Sequence, residues 1–379
     1  MNAVKIIIFS NTSWSLYNFR LELIKKLSLK NEILLISNND KFTKELNKLN
    51  CKIEYIKINS NSKNILKEFI LLFKISKTIK KFKPDIILSY TIKPNIYSLI
   101  LKKIYNFYLI INITGLGNVF ERKNLIFYIV NFLYSFLIKY SDYIFFQNKS
   151  DHNYFLKKRF IDTKILNYEI IPGSGVDTNF FKKEKNNKKL SSKIRFVYSS
   201  RFIKEKGIIN YLNAAKYIKN KYHHIYFYTL GFNFSNENKF ISDLILKYSK
   251  KKYINNLGFK NKKEIKNILE KVDCFVLPSY YNEGVPRSLL EAISMEIFVI
   301  LGEKLKKLNL IDENENGLFC KSNDTKNLIY SMEKFINFNK NHLPFKLKAA
   351  RNNIINNYNH NLVINAYEKQ IEILRNKNV

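Results

Sequence analysis

Glycine and proline are scarce in this chain, ten and six among 379 residues, which excludes collagen-like and Pro/Gly-rich low-complexity organisation. Cysteine occurs three times, at Cys51, Cys274 and Cys320, too widely spaced for a zinc site or a disulfide framework. A reducing cytoplasm is therefore the expected compartment. Acidic residues are also few: 31 Asp and Glu against 65 Lys and Arg leave a formal charge of +34. Such a field attracts phosphates, anionic lipid or nucleic acid. The excess also follows from base composition, because the abundant Lys, Asn, Ile, Phe and Tyr share AT-rich codons, and both readings stay open. No apolar run reaches the ~20 residues of a membrane span. Leu125–Ile138 is broken by Asn131 and Ser135 and reads as a buried or interfacial helix. The opening MNAVKIIIFSNTSWS is too short in its apolar part for a signal peptide and reads as a first strand and its loop.

What is present is enough apolar residue, 46% of the chain, for two cores in domains of about 170–200 residues each. Short apolar runs alternate with helical patterns at Lys5–Phe9, Glu32–Ile36, Lys52–Ile56, Asp85–Ser89, Leu109–Ile113 and Tyr143–Gln147. Runs of this kind are buried on both faces of a parallel sheet. A second series follows the lysine- and asparagine-rich stretch Lys182–Ser192: Ile194–Ser199, Ile225–Thr229, Tyr253–Leu257, Cys274–Pro278 and Phe298–Leu301. The expectation is an α/β protein of two doubly wound, Rossmann-like domains facing a cleft. The Pro/Gly cluster Ile171–Asp177 marks the connection, so the domains are expected at 1–172 and 173–358. Residues 359–379 form a helix, with Leu362, Ile364, Tyr367, Ile371 and Leu374 at helical spacing, that crosses back to the first domain.

In open α/β sheets ligands bind beyond the carboxyl ends of strands, so the loops there carry the candidate chemistry. In Leu277–Ala292 an apolar strand runs into a polar turn. Gly284 then permits close backbone approach, and Pro286 suits the first turn of a helix. A helix N-terminus beside a strand end favours a phosphate. Glu283 before the helix and Glu291 on it are placed to flank that phosphate and accept hydrogen bonds from sugar hydroxyls. Two Glu eight residues apart are also commonplace on exposed helices. After Ile194–Ser199 a loop carries Arg201 and Lys206 and opens a helix near Ile208, a fork and a point charge suited to a diphosphate. In a chain this rich in lysine, a solvated basic loop is the plain alternative.

The Ser-Arg, four-residue, Lys-Gly pattern at Ser200–Gly207, followed by Glu283-Gly284-x-Pro286 and Glu291, resembles the family 4 glycosyltransferases, whose fold is called GT-B. The resemblance covers nearly the whole chain, since IPGSGVDTNFF is similar to the family's hinge segment and Leu257-Gly258-Phe259 to its nucleobase loop. It implies that Arg201 and Lys206 bind a donor diphosphate, Glu283 the transferred sugar and Glu291 the ribose. The backbone at Gly284, Val285 and Pro286 would meet sugar and phosphate, and that at Gly258 and Phe259 the base. It further implies transfer of a hexose or N-acetylhexosamine from a nucleotide sugar, UDP-linked, with retention of configuration and without a metal or other cofactor. Tyr17–Arg20, Thr91–Asn95 and Thr114–Gly117 resemble a bacterial subset acting on polyprenyl-diphosphate-linked sugars, including members that add N-acetylgalactosamine to lipid-linked bacillosamine. Ser13, Trp14, Arg20, Lys93, Thr114 and Gly115 are the acceptor-side candidates this implies. For Ser10–Ser15 a capped helix start is the alternative, and for Arg20 and Lys93 a plain surface position.

Two departures from the family pattern stand out. Many relatives carry glycines after the second Glu, whereas this chain reads Met295-Glu296-Ile297-Phe298 through Lys304, which puts the far wall of the donor pocket in question. No histidine lies near Thr114; His152, His223, His224, His342 and His360 are expected at the surface. A lipid-linked acceptor makes an anionic membrane surface the expected partner, with the protein peripheral on the inner face of the cytoplasmic membrane and Leu125–Ile138 adding an apolar contact. Three rival readings remain: a silent homologue serving as a partner protein, a sugar-nucleotide epimerase on a similar fold, and a nucleic-acid binder. The last lacks any zinc-finger or RNP-type motif, and no nucleic-acid partner is expected.

Overall fold

The computed structural model of the chain describes residues 3–58, 64–120, 124–162, 167–184, 193–232, 239–338 and 343–377. Most of the Lys182–Ser192 stretch, and His342, lie outside the described residues. The chain divides into two compact units, Met1–Ser174 with Asn361–Val379, and Gly175–His360.

The first unit runs β1 (Lys5–Phe9), α1 (Ser13–Leu27), β2 (Glu32–Ser37), α2 (Thr43–Leu46), β3 (Lys52–Tyr55), α3 (Ile65–Phe82), β4 (Ile86–Tyr90), α4 (Ile92–Lys102), β5 (Tyr108–Ile113), α5 (Leu125–Leu137), β6 (Tyr143–Phe146), α6 (Lys149–Lys157) and β7 (Tyr168–Ile170). All neighbours pair in parallel, in the order β3-β2-β1-β4-β5-β6-β7. Period-two alternation sends Ile7, Phe9, Leu34, Ile36, Ile87 and Ile111 to the side covered by α3, α4 and α5. Ile6, Ile8, Ile33, Leu35, Leu88 and Phe145 face α1 and the C-terminal helix.

The second unit continues with β8 (Ile194–Ser199), α7 (Ile208–Lys221), β9 (Ile225–Leu230), α8 (Lys239–Lys250), β10 (Asn255–Gly258), α9 (Lys262–Leu269), β11 (Cys274–Leu277), α10 (Arg287–Ser294), β12 (Phe298–Gly302), β13 (Gly317–Cys320), α11 (Thr325–Ile336) and α12 (Leu343–Asn357). Its sheet is again parallel, in the order β10-β9-β8-β11-β12-β13. The last helix, α13 (His360–Asn376), belongs to the first unit from Asn361 onward. Val363, Ile364, Tyr367, Ile371 and Leu374 bury there, while Leu362 points outward and Val363 takes the place expected for it. Both units are thus doubly wound α/β sheets.

Two strands escape a reading by apolar runs. β7 is three residues with Glu169 at its centre, and β13 follows the polar turn Asp312–Asn316; both are edge strands. β10 starts two residues later than its apolar run suggests, at the strand-averse pair Asn255–Asn256.

Glu296 occupies a special backbone position. It is left-handed, φ 55°, just past the end of α10. The N–H of Glu296 donates to Ile293 O at 2.9 Å and that of Ile297 to Ala292 O at 3.2 Å, the paired bonds of a Schellman stop. A glycine adopts this conformation freely, whereas an L side chain there costs about 1–2 kcal/mol. The glutamate receives only a long contact, 3.9 Å, from Arg351 Nε. Glu296→Gly is therefore expected to stabilise the second unit by about 1 kcal/mol, raising its thermal midpoint by about 2–4 °C. An unchanged or lower midpoint in calorimetry would show that the ion contact outweighs the strain.

Candidate functional site

The sheet order of the second unit reverses between β8 and β11, and the loops after these two strands flank that switch point. Arg201 and Lys206 stand on the first loop, Glu283 on the second. Lys206 Nζ forms an ion pair with Glu283 Oε2, both side chains being less than a tenth exposed. Ser279 Oγ donates to the other carboxylate oxygen at 2.7 Å. Burial, with Arg201 nearby, lowers the Lys206 ammonium from its ordinary value, and the Glu283 charge opposes this. The Tyr281 ring lies under both cations, 5.2 Å from Lys206 Nζ and 5.8 Å from the Arg201 guanidinium carbon.

Several contacts fix these loops. Tyr198 OH donates towards the carbonyls of Arg201 and Lys206, each at 3.3 Å, and the Tyr280 N–H donates to Glu205 O at 2.9 Å. Gly207 combines φ 76° with a backbone approach so close that a Cβ would lie 2.3 Å from Pro278 O. Gly302, at the end of β12, would place a Cβ 2.2 Å from Ser279 O. The altered 296–304 segment thus keeps its one glycine where β12 closes against the loop after β11, and Glu296 keeps the left-handed turn without one.

Pro286 is the N-cap of α10 rather than a residue of its first turn, and its side chain makes no capping hydrogen bond. Its start is tied to the end of β8 by Ser288 Oγ donating to Ser199 O at 2.9 Å. Gly284 and Pro286 are buried, Val285 half-buried. Glu291, one turn on, is buried and accepts from Arg287 Nε at 3.1 Å. Burial pushes its carboxyl up, with Arg287 and Lys262 pulling the other way. Lys262 also meets Asp177 of the connecting segment at 2.9 Å. Gly258 ends β10 with φ 66° and open space where a Cβ would stand. Phe259 follows it, about one-third exposed, edge-on to Phe232 at 5.3 Å.

One site thus gathers Arg201, Lys206, Glu283 and the start of α10, with Glu291 set back on the helix. Ser279, Tyr281 and Arg287 were not singled out from the sequence. Arg287 was within reach of it, four residues before Glu291 on one helix face. Among the described residues no group of three His, Cys, Asp or Glu side chains is placed to hold a metal ion.

In the first unit the switch point lies between β1 and β4. Thr12 caps α1 by accepting from the Ser15 N–H at 3.1 Å, so the alternative of a capped helix start is what the structure shows. Ser13 is fully buried, its hydroxyl donating to Asn38 O at 2.7 Å and 2.9 Å from that of Ser37. The Trp14 N–H donates to Asp40 at 2.9 Å, and its ring meets Phe19 edge-on. Arg20 is buried, not at the surface, with its guanidinium 4.3 Å over the Tyr90 ring. Lys93 is paired with Glu68 of α3 at 2.8 Å. His152 is likewise buried, stacked on Tyr168 at 4.4 Å. Thr114 and Gly115 line a small pocket with Thr91, Asn95 and Asn112 at the carboxyl ends of β4 and β5. Thr91 stands at the N-cap position of α4 with φ 75°, a strained conformation for a β-branched residue, and its hydroxyl makes no capping bond and has no hydrogen-bond partner. The hydroxyl of Ser10 and the amide oxygen of Asn11, after β1, are buried without partners too.

A family model described as glycosyl transferases group 1 matches residues 179–361, and a second, glycosyl transferase 4-like, matches residues 5–148. Between them they cover every strand of both sheets except β7. The chain belongs to the family 4 glycosyltransferases. This glycosyltransferase is 26% identical over 388 residues to the Campylobacter jejuni N,N'-diacetylbacillosaminyl-diphospho-undecaprenol alpha-1,3-N-acetylgalactosaminyltransferase, covering 97% of this chain and 98% of that one. It is also 26% identical, over 32% of its length and 31% of the other, to the Escherichia coli putative colanic acid biosynthesis glycosyltransferase WcaL. Among solved structures, a glycosyltransferase from Rickettsia africae superposes with a TM-score of 0.73 at 21% identity, covering 99% of each chain. Anabaena HepE, solved with UDP and glucose, superposes with a TM-score of 0.78 at 14% identity over 97% of this chain and 99% of that one. These likenesses establish the GT-B fold for this glycosyltransferase.

The buried pair yields a stability test. Removing one partner leaves a buried charge uncompensated, a loss of about 3–5 kcal/mol, while removing both is far milder. In denaturant titrations followed by circular dichroism, Lys206→Met and Glu283→Met are each expected to destabilise more than the double variant. Additive losses would show that the pair is not coupled.

Proposed function

We propose that this glycosyltransferase moves a hexose or N-acetylhexosamine from a UDP-linked donor to a polyprenyl-diphosphate-linked glycan, retaining the anomeric configuration. The observation that carries the donor half is the meeting of Arg201, Lys206 and Glu283 at the switch point, beside a helix start whose N-cap is a proline. The donor diphosphate lies on the N-terminus of α10, held by Arg201 and Lys206. Glu283 accepts from a hydroxyl of the transferred sugar, Glu291 from the ribose, and the backbone at Gly258 and Phe259 meets the base. Support for the acceptor comes from the relative matched along its whole length, whose name specifies a diphospho-undecaprenol-linked sugar. Support for UDP comes from the HepE complex.

When the bond from the anomeric carbon to the phosphate oxygen breaks, its electron pair stays on the diphosphate. The fixed cations and the helix dipole stabilise that charge as it grows, without a metal. The acceptor hydroxyl attacks from the side the diphosphate leaves, and its proton passes to the departing phosphate. On the first unit, the start of α4 with the unpartnered Thr91 hydroxyl, together with Thr114 and Gly115, offers groups for the acceptor, while Arg20 is engaged on the Tyr90 ring. Ser13, Trp14 and Lys93 shape their surroundings through Asn38, Asp40 and Glu68.

The test is nucleoside-diphosphate release from a panel of UDP- and GDP-sugars, in the presence of EDTA, with and without extracted lipid acceptors. Acceptor-dependent release from a UDP-sugar is expected, reduced about 10²–10³-fold in Arg201→Ala and in Glu283→Gln. Donor binding without turnover would point to a silent homologue. Turnover of donor without any acceptor would point to an epimerase.

A further inference from the structure

The helical layer over one side of the first sheet leaves much apolar surface uncovered. α3 packs Leu71, Ile75, Ile79 and Phe82 into the core, and its first half also exposes Ile65, Leu66, Phe69, Ile70 and Phe73, Phe69 to 66%. α5 buries Phe127, Val130 and Tyr134, yet exposes Leu125, Tyr128, Ile129, Phe132 and Phe136, Phe132 to 61%, and carries no charged residue along its length. Periodicity alone puts one stripe of a helix in the core; here a second stripe of large side chains faces outward on both helices.

Position and charge narrow what that surface meets. α4 lies between the two helices: Glu68 of α3 reaches Lys93 and Tyr97 of α4, and Asn95 of α4 reaches Tyr134 of α5 at 3.4 Å. In a parallel sheet a helix that follows a strand runs back from the carboxyl-end side, so the first turns of α3 and α5, with Ile65, Leu66, Phe69, Leu125 and Tyr128, lie towards the side that holds Thr91 and Thr114, while Phe132 and Phe136 follow along α5. The single acid of α3, Glu68, is consumed by Lys93 and Tyr97, whereas Lys67, Lys74, Lys77, Lys80 and Lys81 are exposed. Lys77 Nζ lies 4.7 Å over the Phe73 ring. Exposed aromatics interleaved with lysines and no acids suit the boundary of an anionic bilayer, where rings enter the headgroup region and ammonium groups meet lipid phosphates. A second copy fits poorly, because a two-fold contact would oppose these lysines to themselves. Among the described residues no helix is long and apolar enough to cross a membrane.

We propose that the exposed faces of α3 and α5 form a docking surface for an anionic lipid leaflet, which sets the acceptor edge of the first sheet against the membrane. The inference rests on the proposed lipid-linked acceptor and names the surface that reaches it.

The test is co-sedimentation of the full chain with vesicles of phosphatidylcholine, or of an equal mixture of phosphatidylcholine and phosphatidylglycerol, run beside the release assay. Partition into the mixed vesicles and little into the neutral ones is expected. The exposed double variants Phe69→Ser/Phe73→Ser and Phe132→Ser/Phe136→Ser should each lose it by about tenfold or more. Lys67→Gln/Lys74→Gln/Lys77→Gln should lose about fivefold per lysine. Release from a nucleotide sugar in detergent should stay at wild-type level in all three. Partition that is absent, or equal in wild type and the Phe variants, overturns the docking surface and leaves the transfer reading standing if release persists. Self-association abolished by the same substitutions, without vesicle binding, assigns the face to a second copy and also overturns it. Vesicle binding through this face with no release from any donor keeps the surface and removes the transfer reading.

Discussion

The buried contact between Lys206 and Glu283 is the constraint on which the loops at the second unit's switch point depend. Two opposite charges held out of water tolerate each other only at close range and with their remaining hydrogen-bond capacity met. Here Ser279 supplies the missing donor to the carboxylate and Tyr281 a ring face to the ammonium. Because the partners come from loops after two different strands, the pair ties the carboxyl ends of β8 and β11 together across the switch point. Tyr198 beneath, Gly207 against Pro278 and Ser288 against Ser199 serve the same end. The outcome is a rim in which Arg201, Lys206 and Glu283 are held together beside the N-terminus of α10.

The first unit uses the same sheet geometry with a different chemical lining. At its switch point the groups are neutral: the Ser10, Asn11 and Thr91 oxygens, buried without partners, and a strained Thr91 backbone. Its cations are already engaged, Arg20 on the Tyr90 ring and Lys93 with Glu68. The second unit thus sets charged side chains around its switch point, Lys206 and Arg287 each paired with a glutamate and Arg201 beside them. The first unit lines its own with hydroxyl and amide oxygens. Part of the net charge of +34 sits on α3, where five exposed lysines stand among the exposed Phe69 and Phe73.

The parallel strands were legible because burial on both faces leaves uninterrupted apolar runs, as in Ile6–Phe9 and Phe298–Leu301. β7 and β13 were not, since short edge strands bury less and Glu169 interrupts the first. At the site, Arg201, Lys206, Glu283 and Glu291 stood out through spacing in a recognisable pattern. The burial of Arg20 did not, because the ring that covers it comes from a strand seventy positions away in the sequence. Nor did the second apolar stripe on α3, because periodicity cannot tell a core face from one that meets something else. Glu296 read as damage to the site, whereas the structure shows it holding the turn a glycine would hold, with strain in place of ease.

Whether the rim around Arg201 and Lys206 takes a nucleoside diphosphate is tested most directly by calorimetric titration of UDP and GDP into the full chain. UDP binding is expected, weakened about tenfold or more when Arg201 is replaced by Ala, the loss of a charged hydrogen bond. UDP affinity that is undetectable in the wild type, or unaltered in Arg201→Ala, would contradict it.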